Sequence, residues 1–80
     1  MQKALITTSQ IRAARALVRW SATDLANKSG VGISTIKRLE VMSGVPAINI
    51  STMVAIQAAL ESAGIEFIGS PDDRPGVRLK

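Results

Sequence analysis

The chain reads as a mainly α domain, a bundle of four to five helices followed by a short C-terminal β-hairpin. Three features point there. Apolar residues return at intervals of three and four in successive stretches, as they do on one side of a helix. Glycines at positions 30, 32, 44 and 64 punctuate those stretches. After Gly64 the apolar period shortens to the alternation of strands. Eighty residues, 46% of them apolar, amount to one domain over 1–80, with a core small enough that dimerisation would help it.

The first helix is expected to start at Thr8, whose hydroxyl can accept from the free amides of the opening turn. Ile11, Ala14, Leu17 and Val18 then share a face, with Arg12 and Arg19 off it. Trp20 and Ser21 end the helix. Trp20, the one tryptophan, is expected to anchor the core because its ring buries a large area. Ser21 caps a second helix running from Ala22 to Lys28 or Ser29. Asp24 and Lys28 complement its dipole and stand four apart, as an ion pair would. Gly30 supplies a left-handed exit, Val31 points back to the core, and a third helix begins after Gly32, a cap without a side-chain acceptor.

Residues 41–48 form a loop with turn signals at Gly44 and Pro46. Asn49 caps a fourth helix, with Ile48 and Met53 spaced as a hydrophobic staple. Ile50, Met53, Val54, Ile56 and Leu60 supply its apolar face, and Gly64 ends it. Ile65 to Ile68 and Gly76 to Lys80 read as strands joined by a polar connection over Gly69 to Pro75. Lys3 to Thr7 offers either one more short strand or a loose arm. An isolated hairpin is barely stable, so Ile65, Phe67, Ile68, Val77 and Leu79 need a cover. That cover is either the first and fourth helices or a second copy, and the expectation is a homodimer built from residues 65–80.

Composition excludes several functions. There is no cysteine and no histidine, which removes disulfides, thiolate metal sites and the commonest general base. Six carboxylates without a glycine-rich phosphate loop offer no catalytic set, so neither an enzyme nor a cofactor is expected. The nearly uncharged stretch from Val41 to Leu60 is too interrupted by polar residues and proline to cross a bilayer. The beginning of the chain lacks the pattern of a signal peptide, which points to a cytoplasmic protein. Charge is segregated. Residues 1–38 carry seven Lys or Arg against Asp24 alone, whereas residues 39–80 carry three against five carboxylates. Such a division suits one face on phosphates and another on a protein.

Residues 21–40 carry the functional signal. Two short helices joined at Gly30 hold Leu25, Ala26, Ile36 and Leu39 inward and leave Ile33, Ser34, Lys37 and Arg38 outward. This is the layout of a helix-turn-helix, whose second helix enters the DNA major groove. Ser34 and Arg38 share a face, and Arg38 is the candidate for a paired hydrogen bond to guanine, worth ~1–3 kcal/mol of discrimination. Lys37 can reach a base or a phosphate, and Ile33 can touch a thymine methyl or serve as packing. Thr35 is turned partly aside, toward the DNA backbone or the protein. Arg12, Arg19 and Lys28 are either phosphate contacts or solvated charges.

The ordered set Leu25-Ala26, Gly30-Val31, Thr35-Ile36 and Leu39-Glu40, with Arg15 upstream, resembles the Cro/Xre family. These are the lambda-repressor-like DNA-binding domains of phage and bacterial transcriptional regulators. The likeness covers residues 8–64, and more loosely the Glu-Phe-Ile and Gly-Val-Arg-Leu segments of the tail. It implies a lambda-repressor-like bundle and an ion pair between Arg15 and Glu40, since a charge left alone in a small core is costly. Three positions depart from the family pattern. Ala22 stands where a phosphate-clamping glutamine is frequent, which leaves Ser21, Thr23 or backbone amides to do that work. Gly32 replaces a serine or threonine cap, and Ile33 a polar reader.

The leading expectation is a sequence-specific regulator of transcription, a repressor binding double-stranded DNA as a homodimer on a near-palindromic site. An antitoxin-like protein that also binds a toxin is the second reading. A protein-interaction module without DNA reading is the third, kept open by Ala22, Gly32 and Ile33.

Overall fold

The computed structural model describes residues 5–80. Four helices, α1 (Thr8–Val18), α2 (Ala22–Ser29), α3 (Ile33–Leu39) and α4 (Ile50–Ser62), precede an antiparallel hairpin of β1 (Ile65–Ser70) and β2 (Asp73–Leu79). Among the described residues no helix is long and apolar enough to cross a membrane.

Three of the four helices start where a side chain can take their free amides. Thr7, not Thr8, caps α1: its hydroxyl accepts from the Gln10 amide at 3.1 Å while the Gln10 side chain accepts from Thr7 N–H at 2.8 Å. Thr8 serves another end, its Oγ1 donating to the Leu39 carbonyl at 3.2 Å and its N–H to Gly44 O at 2.8 Å. Both bonds tie the start of α1 to the segment leaving α3. α1 ends at Arg19 in the left-handed region (φ 61°), with Trp20 N–H on Arg15 O at 2.9 Å.

Ser21 and Asp24 form the reciprocal cap of α2, at 3.0 and 2.9 Å. The Asp24 carboxylate thus faces the Ser21 amide rather than Lys28, and the expected ion pair between those two is not formed. Gly30 (φ 75°) turns the chain out of α2, and Gly32 begins α3 with no side-chain bond. Asn49 caps α4, its Oδ1 accepting from Thr52 N–H at 2.9 Å.

The core is one cluster of Ile6, Ile11, Ala14, Leu25, Ala26, Ile36, Leu39, Met53, Ile56, Leu60 and Ile65, with Val31, Ile48, Trp20 and Phe67 packed at its margin. Each fully buried Ile or Leu contributes ~1.5–3 kcal/mol. Leu17, Ile50 and Val54, expected on apolar faces, are exposed. Of the segment Lys3 to Thr7, residues 3 and 4 lie outside the described residues. Leu5 to Thr7 is not strand, and Ile6 is buried in the core.

The hairpin packs on α1 through β2 and on α4 through β1. Its cover is therefore its own chain, and Ile65, fully enclosed there, cannot serve a dimer surface as expected. β2 begins at Asp73, three residues before the expected Gly76, because Pro71 and Asp72 alone make the turn. The register places Phe67 opposite Val77 and Ile68 opposite Gly76, then shifts so that Gly69 faces both Arg74 and Pro75. Proline is tolerated at such a bulge because it has no amide to lose from the ladder. A Cβ on Gly69 would lie 2.1 Å from the Arg74 carbonyl oxygen, so only glycine fits. Gln10 joins the ribbon to α1, its amide donating to the carbonyls of Gly76 at 2.9 Å and Ile68 at 3.2 Å.

Candidate functional site

α3 is a seven-residue helix without a side-chain cap, too short to hold itself together. Its position comes from tertiary ties. Ile36 and Leu39 are fully buried against the rest of the core. At its end Arg15 donates through Nε to one Glu40 oxygen at 2.7 Å and through Nη2 to the other at 2.8 Å. The same guanidinium gives Nη1 to the Trp20 carbonyl at 2.8 Å. One side chain from α1 thus braces both the entry to α2 and the exit of α3. Its planar fork matches a carboxylate in two bonds, which a lysine cannot do.

With Ile36 and Leu39 inward, the opposite side of α3 is open. Ser34, Lys37 and Arg38 are exposed, Ile33 is 37% exposed and Thr35 is half-buried. The four side chains singled out for base contact therefore lie together on a solvent-facing surface. Ile33 also borders a shallow groove of about 410 Å³ lined by Thr23, Asn27, Gly30, Val31 and Gly32 at the turn between α2 and α3.

Lys37 and Arg38 of α3 carry no acid partner among the described residues, and neither do three other cations of the helices and their caps. Among the described residues, the three ion pairs are Arg15–Glu40, Arg74–Asp73 and Arg78–Glu66. Arg12, Arg19, Lys28, Lys37 and Arg38 enter none of them, and all five are exposed. Unneutralised cations on a rigid frame are what a polyanion is drawn to.

The structure divides the remaining expected contacts. Thr23 shares the groove with Ile33, whereas Lys28 lies on another side of α2. There its ammonium stands 5.9 Å from the centre of the Trp20 ring, in a cleft of about 480 Å³ with Ala55 and Ala59 of α4. Trp20 is half-buried at that cleft rather than central to the core. Ser21 keeps a hydroxyl proton to donate, but Asp24 puts a carboxylate on the first turn of α2. A phosphate arriving at this helix start would meet a like charge, which offsets the pull of the free amides.

Sequence reasoning missed two positioning residues. Thr8 and Gln10 brace α3 and the hairpin through bonds to distant carbonyls, and spacing along a chain carries no signal for such partners. The cross-strand pair Arg78–Glu66, at 2.8 Å, was legible only once the register was known. No protein-family model matches the chain, and no curated protein matches it.

Proposed function

We propose that this chain is a sequence-specific DNA-binding regulator of transcription with a lambda-repressor-like helix-turn-helix, and that α3 is its reading helix. The observation that carries the proposal is the division of α3. Its apolar side is locked into the core, while Ile33, Ser34, Lys37 and Arg38 share a free surface with no acid paired to the cations. A helix presented in this way fits the width of the major groove, where each base pair displays its own set of donors and acceptors.

Arg38 takes guanine through paired hydrogen bonds, with Ser34 on the neighbouring position of the same face. Ile33 meets a thymine methyl at the start of the helix. Lys37 reaches a base or a phosphate, and Arg12 and Arg19 neutralise phosphates, the part of the affinity that is blind to sequence and falls with salt. Two copies read a near-palindromic operator, and occupancy of a promoter represses it.

Titration of labelled DNA with the full chain tests this. Affinity for a preferred sequence should fall steeply with salt. Arg38→Ala should cost ~1–3 kcal/mol on that sequence and relax preference at one base pair per half-site. An equal loss on every sequence would make Arg38 a phosphate contact and remove it from base reading.

A further inference from the structure

α2 and α4 pack together without closing the space between them. From α4 that space is lined by Ala55, Ala58 and Ala59, whose single methyl groups are too small to fill it, and a cleft of about 480 Å³ remains. Trp20 lines it from the link between α1 and α2, and Lys28 from the last turn of α2. The volume is that of a small-molecule site, ~300–1,000 Å³. Trp20 is only half-covered there, although so large a ring gains from full burial.

The cleft holds one charge. Lys28 enters none of the ion pairs among the described residues. Its ammonium lies 5.9 Å from the centre of the indole, near the ~6 Å limit at which a ring face attracts a cation. It is held loosely and can turn to an anion. The acids nearest in sequence are engaged elsewhere and do not line the cleft: Asp24 accepts from the Ser21 amide at 2.9 Å, and Glu61 from the Gln57 amide at 3.2 Å. Ser29, also on the lining, has no donor to spare. Its hydroxyl donates to the Leu25 carbonyl at 2.7 Å and accepts from Val31 N–H at 3.2 Å.

We propose that this cleft binds a small aromatic carboxylate, with the ring against Trp20 and the alanine wall and the charge on Lys28. The indole face and three methyl groups suit a flat apolar body, because offset rings attract and both surfaces lose water. One ammonium with no acid beside it suits one negative charge. A multiply charged phosphate fits worse, because the cleft lies against the last turns of α2 and α4, where helix carbonyls carry partial negative charge. A cationic ligand would meet Lys28 itself. No residue of α3 lines the cleft, and this site does not depend on DNA binding by α3.

Titration of the full chain with benzoate is the test, read by the fluorescence of Trp20, the one tryptophan, and by amide shifts in nuclear magnetic resonance. The response should saturate, with the shifts clustered at residues 28–29 and 55–62. Benzamide, similar in shape but uncharged, and acetate, charged but without the ring, should each bind several-fold more weakly. Lys28→Gln should weaken benzoate binding about 2–5-fold, as loss of an exposed ion pair does, and Lys28→Glu by about 10-fold or more. Ala58→Leu, at an exposed position, should fill the cleft and remove the response. Arg74→Gln, which takes a charge from the hairpin turn, should leave it unchanged. Far-UV circular dichroism separates a lost site from a lost fold, and Ala55→Leu supplies a second filling variant should Ala58→Leu not fold. A response that never saturates, that benzamide reproduces, or that survives both Lys28→Glu and the filled cleft overturns the proposal. So does a Lys28→Gln chain that loses affinity for DNA while its benzoate response is intact, since Lys28 would then serve a phosphate backbone.

Discussion

Removing either partner of the Arg15–Glu40 pair should destabilise the domain by about 2–4 kcal/mol. The two side chains retain only 20% and 12% of their exposure, so the pair is closer to a buried bridge than to a surface one. Breaking a buried bridge costs ~3–5 kcal/mol because the remaining charge is left without a partner; residual solvent at both groups lowers that figure. Arg15→Ala also frees the Trp20 carbonyl, now bonded at 2.8 Å, and should be the more damaging of the two by about 1 kcal/mol. For a domain of this size each kcal/mol moves Tm by ~4–8 °C, so Glu40→Ala should lower it by about 10–25 °C. Urea and thermal unfolding of both single variants and the double variant, followed by circular dichroism, measure the coupling. The double variant should be less damaged than the two single losses added together, by about 2 kcal/mol. Single losses below about 0.5 kcal/mol that simply add would refute the view that this bridge seats α3.

Three further substitutions probe other joints. Arg19→Gly should stabilise the fold by about 0.5–1 kcal/mol, since Arg19 ends α1 at φ 61°, where a Cβ is strained. If Arg19 also seats a phosphate, DNA affinity should fall as stability rises, two readouts that unfolding and titration separate. Gly69→Ala should cost at least ~2 kcal/mol, because its Cβ would meet the Arg74 carbonyl at 2.1 Å at a left-handed φ, and denaturant midpoints will show it. Gly32→Ser should gain about 0.5 kcal/mol by giving α3 the side-chain acceptor it lacks, in a place with nothing within 4 Å of a new Cβ.

Much of the helical layout was legible because local chemistry determined it. Gly30, Ser21 and Asn49 mark helix ends through conformational freedom or side-chain acceptors that act within a few residues. Local chemistry failed where two neighbours compete. Thr7 and Thr8 are equally able to cap α1, and the choice falls to Thr7 because Thr8 is taken by the distant Leu39 carbonyl. Asp24 had two suitors, Lys28 and the Ser21 amide, and the nearer backbone group won. The face of α4 was ambiguous for a different reason. With Ile50, Val54 and Ala58 on one side and Met53, Ile56 and Leu60 on the other, an apolar period cannot say which side is the core. The strand start at Asp73 was hidden because Asp-Arg-Pro-Gly reads as turn, while a two-residue turn and a bulge at Gly69 make it part of the ladder. In the candidate site the outward set on α3 was readable from helical spacing alone. The placement of Lys28 beside Trp20 and α4 was not, since it depends on how α2 crosses α4.

The central claim is that the open side of α3 reads duplex DNA, and selection of DNA from a random pool by the purified full chain tests it most directly. The account predicts enrichment of a short motif in two inverted copies, with one guanine position losing its preference in Arg38→Ala. Recovered DNA no different from the starting pool, at low and moderate salt alike, would contradict it.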